Sequence, residues 1–236
     1  MASYRGHLTF STALGAAYGA LACWHFGMDW PTAALGGALT AVSGLLPDLD
    51  SDSGVPVREL FGLAAATVPF LLLRRLDAHG LSMEQMILVL GGVYAIIRYG
   101  LSAFFKRITV HRGMFHSIPA MGIAGLIVFL LYHNPELRLR LYLAGGAMLG
   151  FLSHLILDEL CSVDIAGATL KLNKYAGSAL KLWSVSTLAT LTTYGVFAGL
   201  SYLAMLEVEG RNVAWPRWQS HTLQINPRDR PAGSGK

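Results

Sequence analysis

Seven apolar runs divide this chain, at residues 8–26, 32–46, 59–73, 84–104, 117–133, 141–160 and 185–206. A helix needs roughly 17–25 mostly apolar residues to cross the hydrocarbon core of a bilayer. Lipid offers no water to satisfy backbone polar groups, so repeated crossings by such runs require helices that bond their own backbone. The second and third runs are short and either tilt or stop below the surface, which gives seven spans, or six. Composition agrees: 53% of residues are apolar and 14% charged, against roughly 25% charged in ordinary soluble domains, and mean hydropathy is +0.48. That balance excludes intrinsic disorder and a disulfide scaffold, and it argues against a soluble globular enzyme. Small residues recur inside the runs, at Ala33–Ala38 and Ala144–Ala147, where they let helix backbones approach closely in lipid. The expected fold is an all-α, polytopic transmembrane bundle formed by residues 1–206. Residues 207–236, polar and carrying Pro216, Pro227 and Pro231, are expected to form a disordered tail. No small-residue cleavage site follows the first run, so it is read as a retained span.

The net charge of +4 and pI near 9.2 do not point to nucleic acid. The basic residues sit in short clusters between apolar runs, as Lys and Arg flank membrane spans, and zinc-finger spacing and long basic helices are absent from the sequence. With seven spans, eight Lys and Arg fall on the face of the N-terminus and nine on the other, so the charge bias assigns no orientation. Cys23 and Cys161 form no CxxC pair and are expected to be buried thiols.

Four polar islands interrupt the apolar pattern. His7 stands at the start of the first run. Pro47-Asp48-Leu49-Asp50-Ser51-Asp52 ends the second. Asp48 and Asp50, two apart, can project the same way and offer hard oxygen donors to a divalent cation. The stretch is no EF-hand, because the glycine needed at the sixth position is displaced to Gly54. The third island is His111-Arg112-Gly113-Met114-Phe115-His116-Ser117. A turn at Gly113 can aim both imidazoles inward, with Ser117 as N-cap and Pro119 in the first turn of the next helix. Arg112 and the free amides of that helix start would form an anion site. The fourth is Ser153-His154-Leu155-Ile156-Leu157-Asp158, whose His154 and Asp158 share one helix face about 6 Å apart along it. Ionisable residues inside a span are costly and mark function. With alternating loops, His7, Asp48, Asp50, His111, His116, His154 and Asp158 all map to one membrane face, whereas His25, His79, His133 and His221 map to the other. Seven nitrogen and oxygen donors exceed what one tetrahedral zinc needs, and two ions follow as the expectation, an arrangement suited to hydrolysis.

Taken together, His7 before an apolar helix, Pro47-Asp48-Leu49-Asp50, His111-Arg112-Gly113-x-x-His116-Ser117 and Ser153-His154-x-x-x-Asp158 resemble the YdjM-like family of membrane-bound metal-dependent hydrolases, over roughly residues 1–183. The resemblance implies a bacterial inner-membrane location, a divalent metal (zinc, with manganese or magnesium as alternatives) held by those seven residues, and a hydrolase activity. A family member is also described as binding the repressor LexA.

The resulting expectation is a membrane hydrolase that acts on a phosphoester, such as a phospholipid, through metal-activated water. Asp50 or Asp52 would serve as general base, and Arg112, Lys106, Arg107, Lys171 and Lys174 would contact phosphate. Arg98, inside the fourth run, is expected to be buried against an anionic partner. A carboxylic ester or amide is an alternative substrate. A metal transporter or sensor, or an anchor for a protein partner, are the alternative functions. Transport sites lie near the midplane, whereas these donors sit at span ends.

Overall fold

The computed structural model describes residues 3–50, 54–101, 103, 114–161, 163–166, 169–172, 180–184 and 186–210. Its helices follow the seven apolar runs: α1 (Tyr4–Trp24), α2 (Trp30–Ser43), α3 (Gly54–Ala78), α4 (Met83–Ala95), α5 (Ile118–Leu131), α6 (Leu137–Leu160) and α7 (Thr187–Val208). A 3-10 helix, Leu46–Asp50, extends α2, and a π-helical turn, Ile96–Leu101, extends α4. An antiparallel hairpin, β1 (Val163–Ala166) and β2 (Thr169–Leu172), adds an element to the expected helical architecture.

The helix starts are written in the sequence. Ser3, Asp29, Ser82, Ser117 and Ser186 each accept a bond from a first-turn amide of the helix that follows, satisfying a donor with no intrahelical partner. At Asp29 the bonds come from the amide and hydroxyl of Thr32, and they hold its carboxyl below the usual range.

Among the described residues, three helices are long and apolar enough to cross a membrane: Met83–Leu101, Leu137–Leu160 and Thr187–Val208. They differ in surroundings. In the most apolar stretch of α6, 61% of residues are buried, against none in α4 and 6% in α7. α6 is therefore the central strut, packed on α1, α2 and α5, while among the described helices α4 packs mainly on α3. One core cluster joins α2, α3, α5 and α6 through Leu39, Leu71, Val128, Leu143 and Ala147, with Tyr132 just beyond α5.

Glycine sets the closest approaches. A Cβ on Gly37 would lie 2.6 Å from the carbonyl oxygen of Gly15, so α1 and α2 touch backbone to backbone. A Cβ on Gly150 would overlap the carbonyl of Thr40, so α2 and α6 do the same. This is the lipid-phase packing that small residues permit.

Several expectations need correction. Cys23 and Cys161 are free thiols, but exposed; both stand at helix ends, outside the packed interior. Arg98 is half-buried, not buried, and its guanidinium lies 5.9 Å from the Tyr99 ring centre. The helix expected to end at 206 runs to Val208 and carries Glu207 into an interior ion-pair network. Residues 211–236 of the expected tail lie outside the described residues.

Candidate metal centre

His7 enters on the first turns of α1, His154 and Asp158 on the last turns of α6, Asp48 on the 3-10 helix after α2, and His116 just before the N-cap of α5. The glycine contacts that bring α1, α2 and α6 together also bring these side chains together. His7 is 3% exposed, His116 7%, His154 1% and Asp158 4%. The side chain of Asp48, at 23%, is the open member.

Asp158 is central. Its Oδ1 lies 3.2 Å from His7 Nε2, and its Oδ2 lies 3.7 Å from His154 Nε2 and 3.9 Å from His116 Nε2. Asp48 Oδ1 approaches His154 Nε2 at 3.6 Å. The rings of His7 and His154 stack with centroids 3.7 Å apart, and His116 meets His154 edge-on at 5.4 Å. Two overlapping groups have donor atoms all within 4.8 Å of one another: His7, His154 and Asp158, and Asp48, His116 and His154.

His154 carries the clearest sign of a ligand. Its Nδ1 lies 2.8 Å from the carbonyl oxygen of Gly44. A carbonyl has no proton to give, so Nδ1–H donates and Nε2 keeps the lone pair. That Nε2 is buried with no hydrogen-bond partner. A backbone carbonyl that fixes the tautomer and turns the other nitrogen inward is the usual support of a metal-ligating histidine. Donors on a tetrahedral ion with bonds near 2.0 Å stand roughly 3.3 Å apart, close to the 3.2–3.9 Å separations here. The donor set and its spacing therefore fit a divalent cation. Because His154 offers one lone pair, the two groups form one centre. Asp158, with each oxygen facing different imidazoles, is suited to bridging.

Five of the seven expected ligands thus converge. The backbone of Asp50 ends the 3-10 helix, two residues past Asp48; its side chain, and the whole of Asp52, His111, Arg112, Lys106, Arg107 and Lys174, lie outside the described residues, as does the Lys171 side chain. Ser117 is the N-cap of α5 as expected, accepting from Ala120 N at 3.3 Å. The anion site expected at that helix start is not available as drawn. The amide of Ile118 donates to the carbonyl of Lys181 at 3.2 Å, Pro119 has no N–H, and Ala120 is bound by Ser117. Gly44 was not legible as a functional residue. The signal it left was the small-residue pattern, which marks where a helix end can come within reach of a neighbouring side chain.

Comparison with known proteins follows the same residues. The sequence model of the family described as YdjM inner membrane protein matches residues 1–170, which contain every donor named above. No curated protein and no solved structure is significantly similar to the chain. The chain belongs to the YdjM inner membrane protein family and resides in the inner membrane.

Proposed function

We propose that this protein is a metal-dependent hydrolase, built from seven membrane spans, that cleaves a phosphoester at the membrane interface. The observation that carries the proposal is the His154 arrangement: a buried imidazole, locked by Gly44, presents an unpartnered Nε2 to a cluster of two further histidines and two aspartates. His7, Asp48, His116, His154 and Asp158 hold the ion, with His111 and Asp50 completing the set if two ions bind. Zinc suits this mixture of imidazole and carboxylate, and manganese or magnesium are the alternatives.

A divalent cation in such a site supplies Lewis acidity, lowering the pKa of water and stabilising charge that develops on a phosphoryl oxygen. The chain does the rest. Burial of the three imidazoles and Asp158 limits water at the rear of the site, and the exposed side of Asp48 leaves one approach for substrate. Asp50 or Asp52, two and four residues after Asp48 in sequence, would take the proton of the attacking water. Arg112, four residues before His116, grips the phosphate through its guanidinium fork. All described donors lie near helix ends, which favours interfacial catalysis over ion transport through the midplane.

The test is elemental analysis of the purified protein together with a panel of soluble and lipid phosphoesters. Stoichiometric zinc, manganese or magnesium with metal-dependent release of phosphate or alcohol supports the reading. Protein with no bound metal, and no activity after loading with each of the three ions, overturns it.

A further inference from the structure

A second polar cluster lies at the other end of the bundle. Arg140 on α6 precedes His154 by 14 residues, which at 1.5 Å per residue is about 21 Å along the helix. Its guanidinium is buried, 6% exposed, and donates from Nη2 and Nε to the carbonyl of Phe129 at 2.8 and 3.2 Å, with Nη2 3.1 Å from Glu207 Oε1. Arg75, from the last turn of α3, donates to the same oxygen at 2.6 Å. His133 Nδ1 approaches that oxygen at 3.6 Å. Three nitrogen groups from separate elements therefore converge on a single carboxylate oxygen.

The charges and donors in this cluster do not balance. Among the described residues, two guanidinium groups face one carboxylate here, an excess of one positive charge even with His133 neutral. Arg74, next to Arg75 in sequence, lies 5.8 Å from the Tyr132 ring centre and interacts electrostatically with Asp29. Two nitrogens also lack hydrogen-bond partners although buried: Arg75 Nε and His133 Nδ1. An uncompensated charge and an unmade donor in a low-dielectric setting each call for another acceptor. Although these two nitrogens are buried, the cluster reaches the surface at the rest of the His133 side chain, which is 43% exposed. From this geometry we propose that Arg75, Arg140 and His133 bind a phosphate oxyanion, either a lipid headgroup or free phosphate. Paired guanidinium groups match the fork geometry of phosphate, and the cluster lies at the ends of α3, α6 and α7, where headgroups reside.

The experiment uses the full-length protein in a neutral detergent. The probes are phosphatidylglycerol, net-neutral phosphatidylcholine and inorganic phosphate. Binding is read by the thermal unfolding midpoint and by native mass spectrometry. Phosphatidylglycerol is expected to raise the midpoint and remain bound where phosphatidylcholine does not. Arg75→Gln should weaken that binding at least tenfold and Arg75→Lys by less, with helical content by circular dichroism unchanged in both. A midpoint shift from inorganic phosphate alone, lost in Arg75→Gln, identifies free phosphate as the source. Equal binding by wild type and Arg75→Gln, equal retention of phosphatidylcholine, or no binding of any probe overturns the proposal. Because no readout involves bound metal, the result is independent of the catalytic reading above.

Discussion

Gly150→Ala tests whether helix packing positions the metal ligands, without touching a ligand. The added methyl would overlap the Thr40 carbonyl and lie 3.1 Å from Gly44 N, where ordinary contact begins at 3.4 Å. Both obstacles are backbone and cannot swing aside, so α6 must move off α2. The bond from His154 to Gly44 is 2.8 Å, and about 0.7 Å of separation carries it to the outer limit near 3.5 Å. Overpacking of this kind costs roughly 1–3 kcal/mol, and the lost hydrogen bond adds about 0.5–1.5 kcal/mol. Loss of an outer partner of a metal-bound histidine typically lowers metal affinity about 10- to 100-fold. Gly92→Ala is the control. That position on α4 has nothing within 4 Å of the added atom, and alanine should stabilise the helix by roughly 1 kcal/mol. Thermal unfolding in detergent and metal titration on both variants provide the measurements. Native metal affinity and native unfolding temperature in Gly150→Ala would refute the coupling between helix contact and ligand placement.

His154→Ala and Asp158→Ala should each sharply reduce bound metal while His133→Ala does not; equal metal in all three by elemental analysis removes the centre. The proposed seven spans would place the two termini on opposite sides of the membrane, and reporter fusions finding both on one side would contradict that count. Arg112→Ala should retain metal but slow phosphoester turnover about 10- to 150-fold, the equivalent of a charge-assisted contact of roughly 1.5–3 kcal/mol. Arg112→Lys should recover only part of the rate, because an ammonium lacks the bidentate fork; an unchanged rate in Arg112→Ala excludes the phosphate role.

Much of this was legible because hydropathy and metal-ligand spacing are local patterns. The apolar runs locate every helix. The third run, read as 59–73, is too short because Arg58 and Arg74 interrupt the apolar pattern inside a helix that extends over Gly54–Ala78. His154 and Asp158 share a face as their spacing requires. Less legible was whatever depends on distant partners. The Gly44 carbonyl gains its role only when α6 approaches, and Glu207, polar and near the chain end, reads as tail until Arg75 and Arg140 are beside it. Cysteine burial failed for a different reason: in a membrane protein an apolar neighbourhood in sequence does not distinguish the packed interior from a helix surface facing lipid. The occupied Ile118 amide at the start of α5 depends on Lys181, more than sixty residues away.

The contact between His7 and Asp158 spans 151 positions of the chain, and this imposes an order on biosynthesis. At roughly 5–20 residues per second, His7 waits on the order of 8–30 s before its carboxylate partner has been made. If α1 is a span, as proposed, it would enter the bilayer with an imidazole that has neither that partner nor the stacked ring of His154. Its neighbour α2 arrives early, and the Gly15–Gly37 contact can form at once. On that reading the histidine would stay on the water side of the α1–α2 pair until α6 arrives. Its place three residues inside α1, rather than deeper, makes that wait tolerable. A ligand moved two turns further along α1 would have to cross hydrocarbon unpaired, so the depth of the metal centre is constrained by the order of synthesis as well as by the chemistry performed there.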